Sequence, residues 1–356
     1  MTANVARRNA PCGRNVLRLV GPGGCLRTEM HEISKAARRA LLAQHGNFAL
    51  AYSVAFQPDL SYFGDARGFL SYKMVGRTAF VLSDPIGPPE HRDKVIDGFL
   101  ATEKDVSFWQ VSHAVAQILS ARGFFINELG CETLVDLTTF SFAGPHRRNF
   151  RTAVHRFFAS GHVVREEPLA SLNAARLRSI SESWRRTRTT KRHELRFLVR
   201  PVVLADELGV RKFFILDRDG DPKAFAFFDP VYEGGEIAGY LSSTRRWSPQ
   251  TDKLAGYYLM RTAIERFQAE GVRTLYLGLS PFHGIEAPEF TEHWLVREAF
   301  QFAYANFFVN RLIYPVRTLA RHKEIYGGAS RQTYYAFNTL PSLPRLLKLI
   351  WACRIL

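Results

Sequence analysis

Lys323 and Tyr326 form the polar pair whose spacing most directly suggests chemistry, because side chains three residues apart lie one above the other on a helix. An ammonium and a phenol that face one pocket can both donate hydrogen bonds to an ester and to the oxyanion that forms when the ester is attacked. The alternative is that both are ordinary surface residues. The pair is therefore a candidate site for acyl transfer.

The densest run of cations extends from His146 to Arg156. On a helix, Arg147 and Arg151 would lie on one stripe, opposite an apolar face. Like charges this close repel one another, so the stripe indicates a phosphate partner, and the alternative is a solvated cationic face. A second run, Arg185–Arg192, extends the positive surface. The candidate phosphate-binding residues are Arg147, Arg148, Arg151, Arg156, Arg185 and Arg186.

The positive charge of the chain is confined to two segments. The 356 residues include 48 Lys or Arg and 33 Asp or Glu, which gives a net charge of +15. Residues 1–28 contain five arginines and no acid, and residues 141–200 contain fourteen Lys or Arg against four Glu. These segments account for the whole excess, as a docking site for nucleic acid or for an anionic membrane surface would.

Composition and motifs exclude several classes of protein. Hydrophobic residues make up 46% and charged residues 23%, which is typical of a folded protein. The sequence lacks Cys-x-x-Cys, Gly-x-Ser-x-Gly and His-Glu-x-x-His motifs, and no apolar run reaches the roughly 18 residues of a membrane-spanning helix. We therefore expect no metal site and a cytoplasmic location. For residues 1–28, a basic disordered tail is favoured over an organelle transit peptide.

The periodicity of apolar residues predicts a mixed α/β fold. In the first half we predict helices over 31–44, 90–103 and 114–122, and strands over 48–56, 69–74, 79–83, 107–111, 124–129 and 133–136. In the second half we predict helices over 144–160, 172–188 and 252–270, strands over 212–217, 223–228, 236–242 and 274–277, and an aromatic-rich helical region over 294–320. Because both halves place a helix after hairpin-linked strands, we predict two tandem GNAT-like (N-acetyltransferase-like) domains, α/β (α+β) in class, with mixed sheets flanked by helices.

These elements divide the chain into five predicted segments. They are a basic tail (1–28), an N-terminal GNAT-like domain (29–143), a basic helical connector (144–200), a C-terminal GNAT-like catalytic domain (201–340) and an amphipathic C-terminal segment (341–356). The last segment intersperses Arg345, Lys348 and Arg354 with apolar residues. It either lies in a membrane interface or packs on the protein as a terminal helix.

A GNAT-like fold suggests acyl-CoA as the donor, and the loop that would hold the CoA pyrophosphate bears on this idea. Such loops place glycines where backbone N–H groups approach the phosphates at the start of a helix. The corresponding stretch, Ser243 to Ala255, contains no glycine. An acyl-CoA N-acyltransferase is therefore disfavoured.

The order of several short motifs resembles the soluble C-terminal domain of the phosphatidylglycerol lysyltransferases. The motifs are Phe63-Gly64-Asp65, Val75-Gly76-Arg77-Thr78, Asp84-Pro85-Ile86-Gly87-Pro88, Leu134-Val135-Asp136-Leu137-Thr138-Thr139-Phe140-Ser141, Ile180-Ser181-Glu182-Ser183-Trp184, Ala224–Phe227 and Leu277-Gly278-Leu279-Ser280-Pro281-Phe282. The resemblance covers about residues 45–340.

The resemblance implies a tandem acetyltransferase-like fold that takes an amino acid from aminoacyl-tRNA and esterifies a lipid hydroxyl at the cytoplasmic face of the membrane. Aminoacyl-tRNA would be the co-substrate and the partner of the Arg-rich helix, with no other cofactor. The family's Lys-x-x-Tyr pair matches Lys323 and Tyr326, and its Asp-x-x-Arg pair aligns with Ser242 and Arg245. The arginine is therefore present, and the carboxylate is not.

Three hypotheses about function follow. In the first, Lys323 and Tyr326 stabilise the oxyanion while Arg245 binds a phosphate or carboxylate of a phospholipid acceptor such as phosphatidylglycerol. In the second, the acceptor is a small molecule in a biosynthetic pathway, because Ser242 cannot supply the charge of the family's aspartate. In the third, the chain is a non-catalytic RNA- or membrane-binding protein of the same fold. Peripheral contact with anionic lipid at the cytoplasmic face of the membrane is compatible with the first and the third.

Overall fold

The computed structural model describes residues 33–188, 194–286, 288–340 and 343–354, and within them eleven strands form one sheet. The strands are β1 (Ser61–Asp65), β2 (Gly68–Val75), β3 (Thr78–Leu82), β4 (Asp105–Val111), β5 (Phe125–Asp136), β6 (Val163–Glu166), β7 (Arg211–Leu216), β8 (Pro222–Glu233), β9 (Glu236–Trp247), β10 (Thr274–Pro281) and β11 (Ala329–Phe337). The helices are α1 (Lys35–His45), α2 (Ala51–Phe56), α3 (Pro89–Thr102), α4 (His113–Ser120), α5 (Arg148–Ala159), α6 (Ala174–Arg186), α7 (Ala255–Ala269), α8 (Trp294–Ala305), α9 (Val316–Glu324) and α10 (Leu343–Cys353).

The sheet has two halves of similar construction. Its strand order is β1-β2-β3-β4-β11-β5-β10-β9-β8-β7-β6. In each half an antiparallel run ends in one parallel pair, β3 with β4 and β9 with β10, and a helix, α3 or α7, connects the two strands of that pair. This repeated strand–helix–strand unit confirms the predicted mixed α/β architecture in two similar halves.

The two halves exchange strands. β11, near the end of the chain, pairs with β4 of the first half, and β5 of the first half pairs with β10 of the second. β5 and β11 also pair with each other along their whole length and join the halves. One strand from each segment therefore pairs with the other segment: β5 of 29–143 pairs with β10, and β11 of 201–340 pairs with β4. The sequence did not indicate this exchange.

The structure corrects the strand that we predicted over 48–56. Residues Ala51–Phe56 form the helix α2, and the first five of its residues are buried. A short helix that is apolar on every side has no 3.6-residue periodicity, so its sequence cannot be distinguished from that of a buried strand.

Several other boundaries also differ from those we predicted. The strands predicted over 124–129 and 133–136 are one continuous strand, β5, and β1, β6 and β11 were not predicted. The helical region predicted over 294–320 is divided into α8, a single π-helical turn at Val309–Ile313, and α9. Residues 1–32 lie outside the described residues, so the predicted basic tail does too.

The Arg-rich helix α5 is amphipathic, as its periodicity predicted. Phe150, Ala153 and Phe157 are buried against the core that α7 also covers. The opposite face carries exposed Arg148 and Arg156. Burial of the apolar stripe therefore holds the cations at the surface.

The C-terminal helix α10 packs on the N-terminal half of the sheet. Arg345 forms an ion pair with Asp105 at 2.9 Å, and Lys348 donates a hydrogen bond to Oγ1 of Thr78 at 2.8 Å. Leu347 and Trp351 remain exposed. No described helix combines the length and the apolar composition that crossing a bilayer requires.

Candidate active site

A gap opens in the sheet where β9 and β10 separate. The two strands pair in parallel only from Gly239 and Thr274 to Leu241 and Tyr276. Beyond that point β9 still pairs with β8, and β10 with β5, but the facing edges of β9 and β10 no longer bond to each other. Gly278, with φ +71°, lies in the irregular stretch of β10 at the gap. Backbone carbonyl groups of β10 are therefore available to side chains.

Lys323 reaches this gap from α9. Its Nζ donates hydrogen bonds to the carbonyl oxygens of Gly278 at 2.7 Å and Leu279 at 2.6 Å. The residue is 3% exposed. Burial, and then the charge of Arg245, lower the pKa of Lys323 to about 7. The ammonium can therefore lose its proton close to neutral pH.

Arg245 on β9 contacts His322 on α9, since Nη1 of the arginine lies 3.1 Å from Nε2 of the histidine. A guanidinium only donates hydrogen bonds, so Nε2 accepts and the imidazole is neutral in this contact. Burial, together with the charges of Arg245 and Lys323, lowers the pKa of His322 to about 3. His322 thus orients the guanidinium without adding charge to the site.

The phenol of Tyr326 lies next to Arg245, in the interior of the protein. Tyr326 is 1% exposed, and its hydroxyl donates to no described atom. Burial raises the pKa of this hydroxyl, and the charge of Arg245 opposes the effect in part. The hydroxyl therefore stays protonated at neutral pH and can donate to a substrate oxygen.

Ser242 and Arg245 would face opposite sides of a regular strand, because side chains alternate along it. A bulge changes this here: Phe228 pairs with Ser242 and the preceding Phe227 pairs with Thr244, which leaves one extra residue in β9. As a result, Ser242 lies against Met260 of α7, with 3.6 Å between Oγ and Sδ, while Arg245 faces the neighbouring α9. The structure thus brings the two residues to the same side of the sheet.

Two residues at this site were missed by the sequence analysis, His322 and Glu132. Glu132 lies on β5 opposite Leu279 and is 6% exposed. Its Oε1 accepts a hydrogen bond from Gln110 at 2.7 Å, and its charge favours the protonated form of Lys323. Burial raises the pKa of Glu132 itself. The adjacency of His322 to Lys323 was a signal in the sequence, whereas a lone glutamate in a strand offers none.

The six candidate phosphate-binding arginines occupy different environments. Arg148 and Arg186 are exposed, and Arg185 is half-buried. Arg156 forms an ion pair with Asp252 at 3.1 Å. The remaining two were predicted to form a stripe on one helix, and the structure corrects this: Arg147 ends the 3-10 turn Pro145–Arg147, where Pro145 and Gly144 delay the start of α5, and only Arg151 lies on α5.

The guanidinium groups of Arg147 and Arg151 donate hydrogen bonds to backbone carbonyl oxygens. Nη2 of Arg147 donates to the carbonyl oxygen of Tyr326 at 2.9 Å, and its guanidinium lies 4.3 Å from the centre of the Phe140 ring. Nη1 of Arg151 donates to Phe142 and Gly144 at 2.7 and 2.9 Å. Arg147 therefore links the cationic helix directly to the loop that carries Tyr326.

A groove of about 1000 Å³ lies between α5, α6 and the loop that connects β9 to α7. Arg156, Arg176 and Lys223 line it together with His162. Asp252 accepts a hydrogen bond from the N–H of Leu254 at 2.8 Å, immediately before the first turn of α7. The groove is thus cationic on its walls and holds one carboxylate at the start of the helix.

The protein-family model and the related sequences that match this chain point to the same family. The model of the family described as phosphatidylglycerol lysyltransferase, C-terminal, matches residues 39–337. The phosphatidylglycerol lysyltransferase of Bacillus subtilis (strain 168) is 27% identical over 312 residues, which are 85% of this chain and 35% of that protein. That of Staphylococcus aureus (strain MRSA252) is 26% identical over 233 residues, 62% of this chain and 26% of that protein. The chain spans about a third of the length of these relatives or less.

Solved structures share the fold. The structure of L-PGS from Bacillus licheniformis matches with a TM-score of 0.70 at 20% identity, over 90% of this chain and 98% of that one. The C-terminal domain of a lysylphosphatidylglycerol synthetase from Agrobacterium fabrum matches with a TM-score of 0.69 at 18% identity, over 89% and 94%. The family match, the order of the motifs and the two-halved acetyltransferase-like sheet agree, and the chain belongs to the family of phosphatidylglycerol lysyltransferase C-terminal domains.

Proposed function

We propose that this chain transfers the aminoacyl group of an aminoacyl-tRNA to the hydroxyl of an anionic phospholipid such as phosphatidylglycerol. The observation that carries the proposal is the position of Lys323, held at the gap between β9 and β10 by two carbonyl oxygens and close to Arg245, which also contacts Tyr326. The relatives named for lysyl transfer to phosphatidylglycerol support the same class of reaction.

The proposed reaction is an ester exchange. The acceptor oxygen attacks the aminoacyl carbonyl carbon and forms a new C–O bond, and the C–O bond to the tRNA ribose breaks. The proton of the acceptor hydroxyl passes to the ribose oxygen that leaves. Because the protonated Lys323 has three N–H bonds and the β10 carbonyls accept from two, the third is available to the oxyanion. Tyr326 provides a second donor.

Arg245 is half-buried, and it provides a fixed positive charge for the acceptor. A guanidinium binds the phosphate of a phospholipid with two parallel hydrogen bonds. The contact with His322 determines the direction in which the guanidinium points. We propose that Arg245 holds the phosphodiester so that the headgroup hydroxyl faces the ester.

Aminoacyl-tRNA is the proposed co-substrate, with no further cofactor. The exposed Arg148 and Arg186 and the groove lined by Arg156 offer cationic surface for the phosphates of the acceptor end, which need no base-specific contacts. Asp252 disfavours a CoA pyrophosphate at the start of α7, because it places a carboxylate where that anion would bind.

A small-molecule acceptor is the second candidate function, and Ser242 favours it. The family's aspartate is a serine here, and among the described residues the hydroxyl of Ser242 bonds to the thioether of Met260 alone. A substrate that does not need this carboxylate, such as an intrinsically nucleophilic amine, would suit the site. If Ser242→Asp gains transfer to phosphatidylglycerol and Ser242→Asn does not, Ser242 sets the choice of acceptor.

The proposal is tested by following labelled amino acids away from tRNA. Purified protein is incubated with total tRNA charged with radiolabelled amino acids, together with a lipid extract or a small-molecule extract. Label in the organic phase supports the lipid acceptor and identifies the amino acid. Label in a polar small molecule supports the second candidate. Label that stays on tightly bound tRNA contradicts both and indicates a non-catalytic RNA-binding protein.

A further inference from the structure

A set of large apolar side chains projects from the last turn of α8 and from its connection to α9. We call it the apolar ridge, and its members are 49 to 67% exposed: Phe302, Phe307, Phe308, Leu312 and Ile313. Trp294 and Leu295, at the start of α8, are 62% and 52% exposed. The other face of α8 buries Val296 and packs Phe300 against Phe282 with ring centres 4.6 Å apart. The helix is therefore apolar on two faces, and the described residues cover only one of them.

Asn310 holds the ridge in a defined conformation. Its Nδ2 donates to the carbonyl oxygens of Tyr304 and Asn306, both at 2.9 Å, and its Oδ1 accepts from the backbone N–H of Arg317 at 3.0 Å. These bonds tie the ridge to the first turn of α9, whose last turn carries Lys323. The ridge is thus coupled to the helix that supplies the candidate active site.

The charge around the ridge is positive. Between residues 294 and 323 the only acid is Glu298, whereas Arg311, Arg317 and Arg321 are all exposed and have no carboxylate partner among the described residues. The guanidinium of Arg311 lies 5.7 Å from the centre of the Phe307 ring. In an anionic membrane interface, apolar lipid chains lie beneath negative phosphates. The apolar side chains of the ridge match the first layer, and the arginines beside them match the second.

We propose that the apolar ridge inserts into the interfacial layer of an anionic bilayer, with Arg311, Arg317 and Arg321 on the lipid phosphates. α9 then lies against the membrane with Arg317 and Arg321 toward the lipid, and Lys323 lies on its buried side, where it bonds to the carbonyl groups of β10. This inference rests on the proposed lipid acceptor for its purpose, but vesicle binding can be measured without any transfer. A basic segment of the same chain is a poor occupant of the ridge, because the arginines around it would repel that segment.

The C-terminal helix α10 is the obvious competitor for this role. It also exposes two large apolar residues, Leu347 and Trp351. Two of its cations, however, are turned toward the protein, since Arg345 pairs with Asp105 and Lys348 donates to Thr78. The cations that remain near its exposed side chains are Arg354, just after α10, and Lys73, 5.7 Å from the centre of the Trp351 ring, against three arginines at the ridge, so α10 serves as the matched control.

The test is co-sedimentation with vesicles in the absence of tRNA. Wild-type protein, Phe307→Ser/Phe308→Ser, Arg311→Gln/Arg317→Gln and the control Leu347→Ser/Trp351→Ser are mixed with phosphatidylglycerol–phosphatidylcholine vesicles or with pure phosphatidylcholine vesicles. We expect the phenylalanine variant to bind mixed vesicles at least about tenfold more weakly than wild type, and the arginine variant to lose the preference for phosphatidylglycerol. The control should bind like wild type. All the substituted side chains are exposed, so thermal unfolding should be unchanged.

Transfer to short-chain, micelle-free phosphatidylglycerol separates this proposal from the proposed function. We expect the phenylalanine variant to keep wild-type rates with this acceptor and to lose activity only with vesicles. If neither the wild type nor any variant transfers an aminoacyl group to lipid, the proposed function fails. The vesicle co-sedimentation still decides whether the ridge binds the membrane. Wild-type binding by the phenylalanine variant would overturn the inference, and so would a dimer that this variant dissociates without any change in vesicle binding.

Discussion

The guanidinium of Arg245 donates a hydrogen bond to the neutral imidazole of His322 across 3.1 Å, and this contact joins β9 to α9 at the candidate active site. The charge of Arg245 also lowers the pKa of both His322 and Lys323, after the larger effect of burial. Arg245 therefore has two proposed roles: it binds the acceptor, and its charge lowers the pKa of Lys323, the residue that donates to the oxyanion.

The rate of transfer should fall as the pH rises through about 7, the pKa of Lys323, because deprotonation removes the third N–H from the ammonium. Arg245→Gln removes a charge that lowers this pKa, so in that variant the fall should move to higher pH. Single-turnover rates across neutral pH measure both effects. Lys323→Arg, which stays charged, should show no such fall. A rate that rises over the same range would mean that the neutral amine acts as a base, which contradicts the oxyanion role.

Tyr326→Phe should reduce kcat by about 100-fold and leave the free energy of unfolding within about 0.5 kcal/mol of wild type. The reason is that the Tyr326 hydroxyl donates to no described atom, and that Arg245, which contacts it, keeps His322 as an acceptor when the hydroxyl is removed. Tyr258→Phe is the matched control, because the Tyr258 hydroxyl bonds to the backbone of Val164. We expect that control to lose about 1 kcal/mol of stability and to keep its kcat. Equal kcat for Tyr326→Phe and wild type would remove Tyr326 from the mechanism.

Replacing either Arg148 or Arg186 by alanine should weaken tRNA binding and reduce the slope of log K against log salt concentration by about 1. Both side chains are exposed, so their removal leaves the core intact. Arg77→Ala, on the exposed turn between β2 and β3, is the control and should leave the slope unchanged. Arg147 is unsuitable for this test because it also holds the carbonyl group of Tyr326. Unchanged slopes in both variants would place tRNA elsewhere on the surface.

Arg200→Met should destabilise the protein by about 3–5 kcal/mol in urea unfolding. Nη1 of Arg200 lies 3.0 Å from Oδ1 of Asp229, and Asp229 is fully buried on β8. The substitution leaves the carboxylate of Asp229 without its cation. Ser243 also donates a hydrogen bond to Asp229, and it is the neighbour of Ser242 at the candidate active site. Adding Asp229→Asn should recover part of the loss. Wild-type stability of the single variant would show that the pair contributes little to the fold.

Local periodicity was sufficient for elements with a one-sided apolar face. The stripe of Phe150 and Phe157 in α5 is an example, because side chains on one face of a helix are buried together. α2 has no such one-sided face, because it is buried on every side, and its periodicity did not distinguish a helix from a strand. Periodicity also could not predict the exchange of β5 and β11 between the two halves, since pairing between distant strands leaves no local pattern in either strand.

The candidate site was predicted in part. The structure brings Arg245, Lys323 and Tyr326 together, as the family resemblance implied. It also buries Lys323 and Tyr326, which rejects the alternative of ordinary surface residues. Glu132 could not have been predicted, because it reaches the site only when β5 pairs with β10 across the two halves.

The central claim is that Lys323 stabilises the oxyanion of aminoacyl transfer, and a single-turnover measurement tests it most directly. Excess protein is mixed with labelled aminoacyl-tRNA and detergent-dispersed phosphatidylglycerol, and the label that enters the organic phase is followed with time. We predict transfer by the wild type and a rate about 100-fold lower for Lys323→Met, with unchanged affinity for tRNA. Equal rates for the two proteins would contradict the claim.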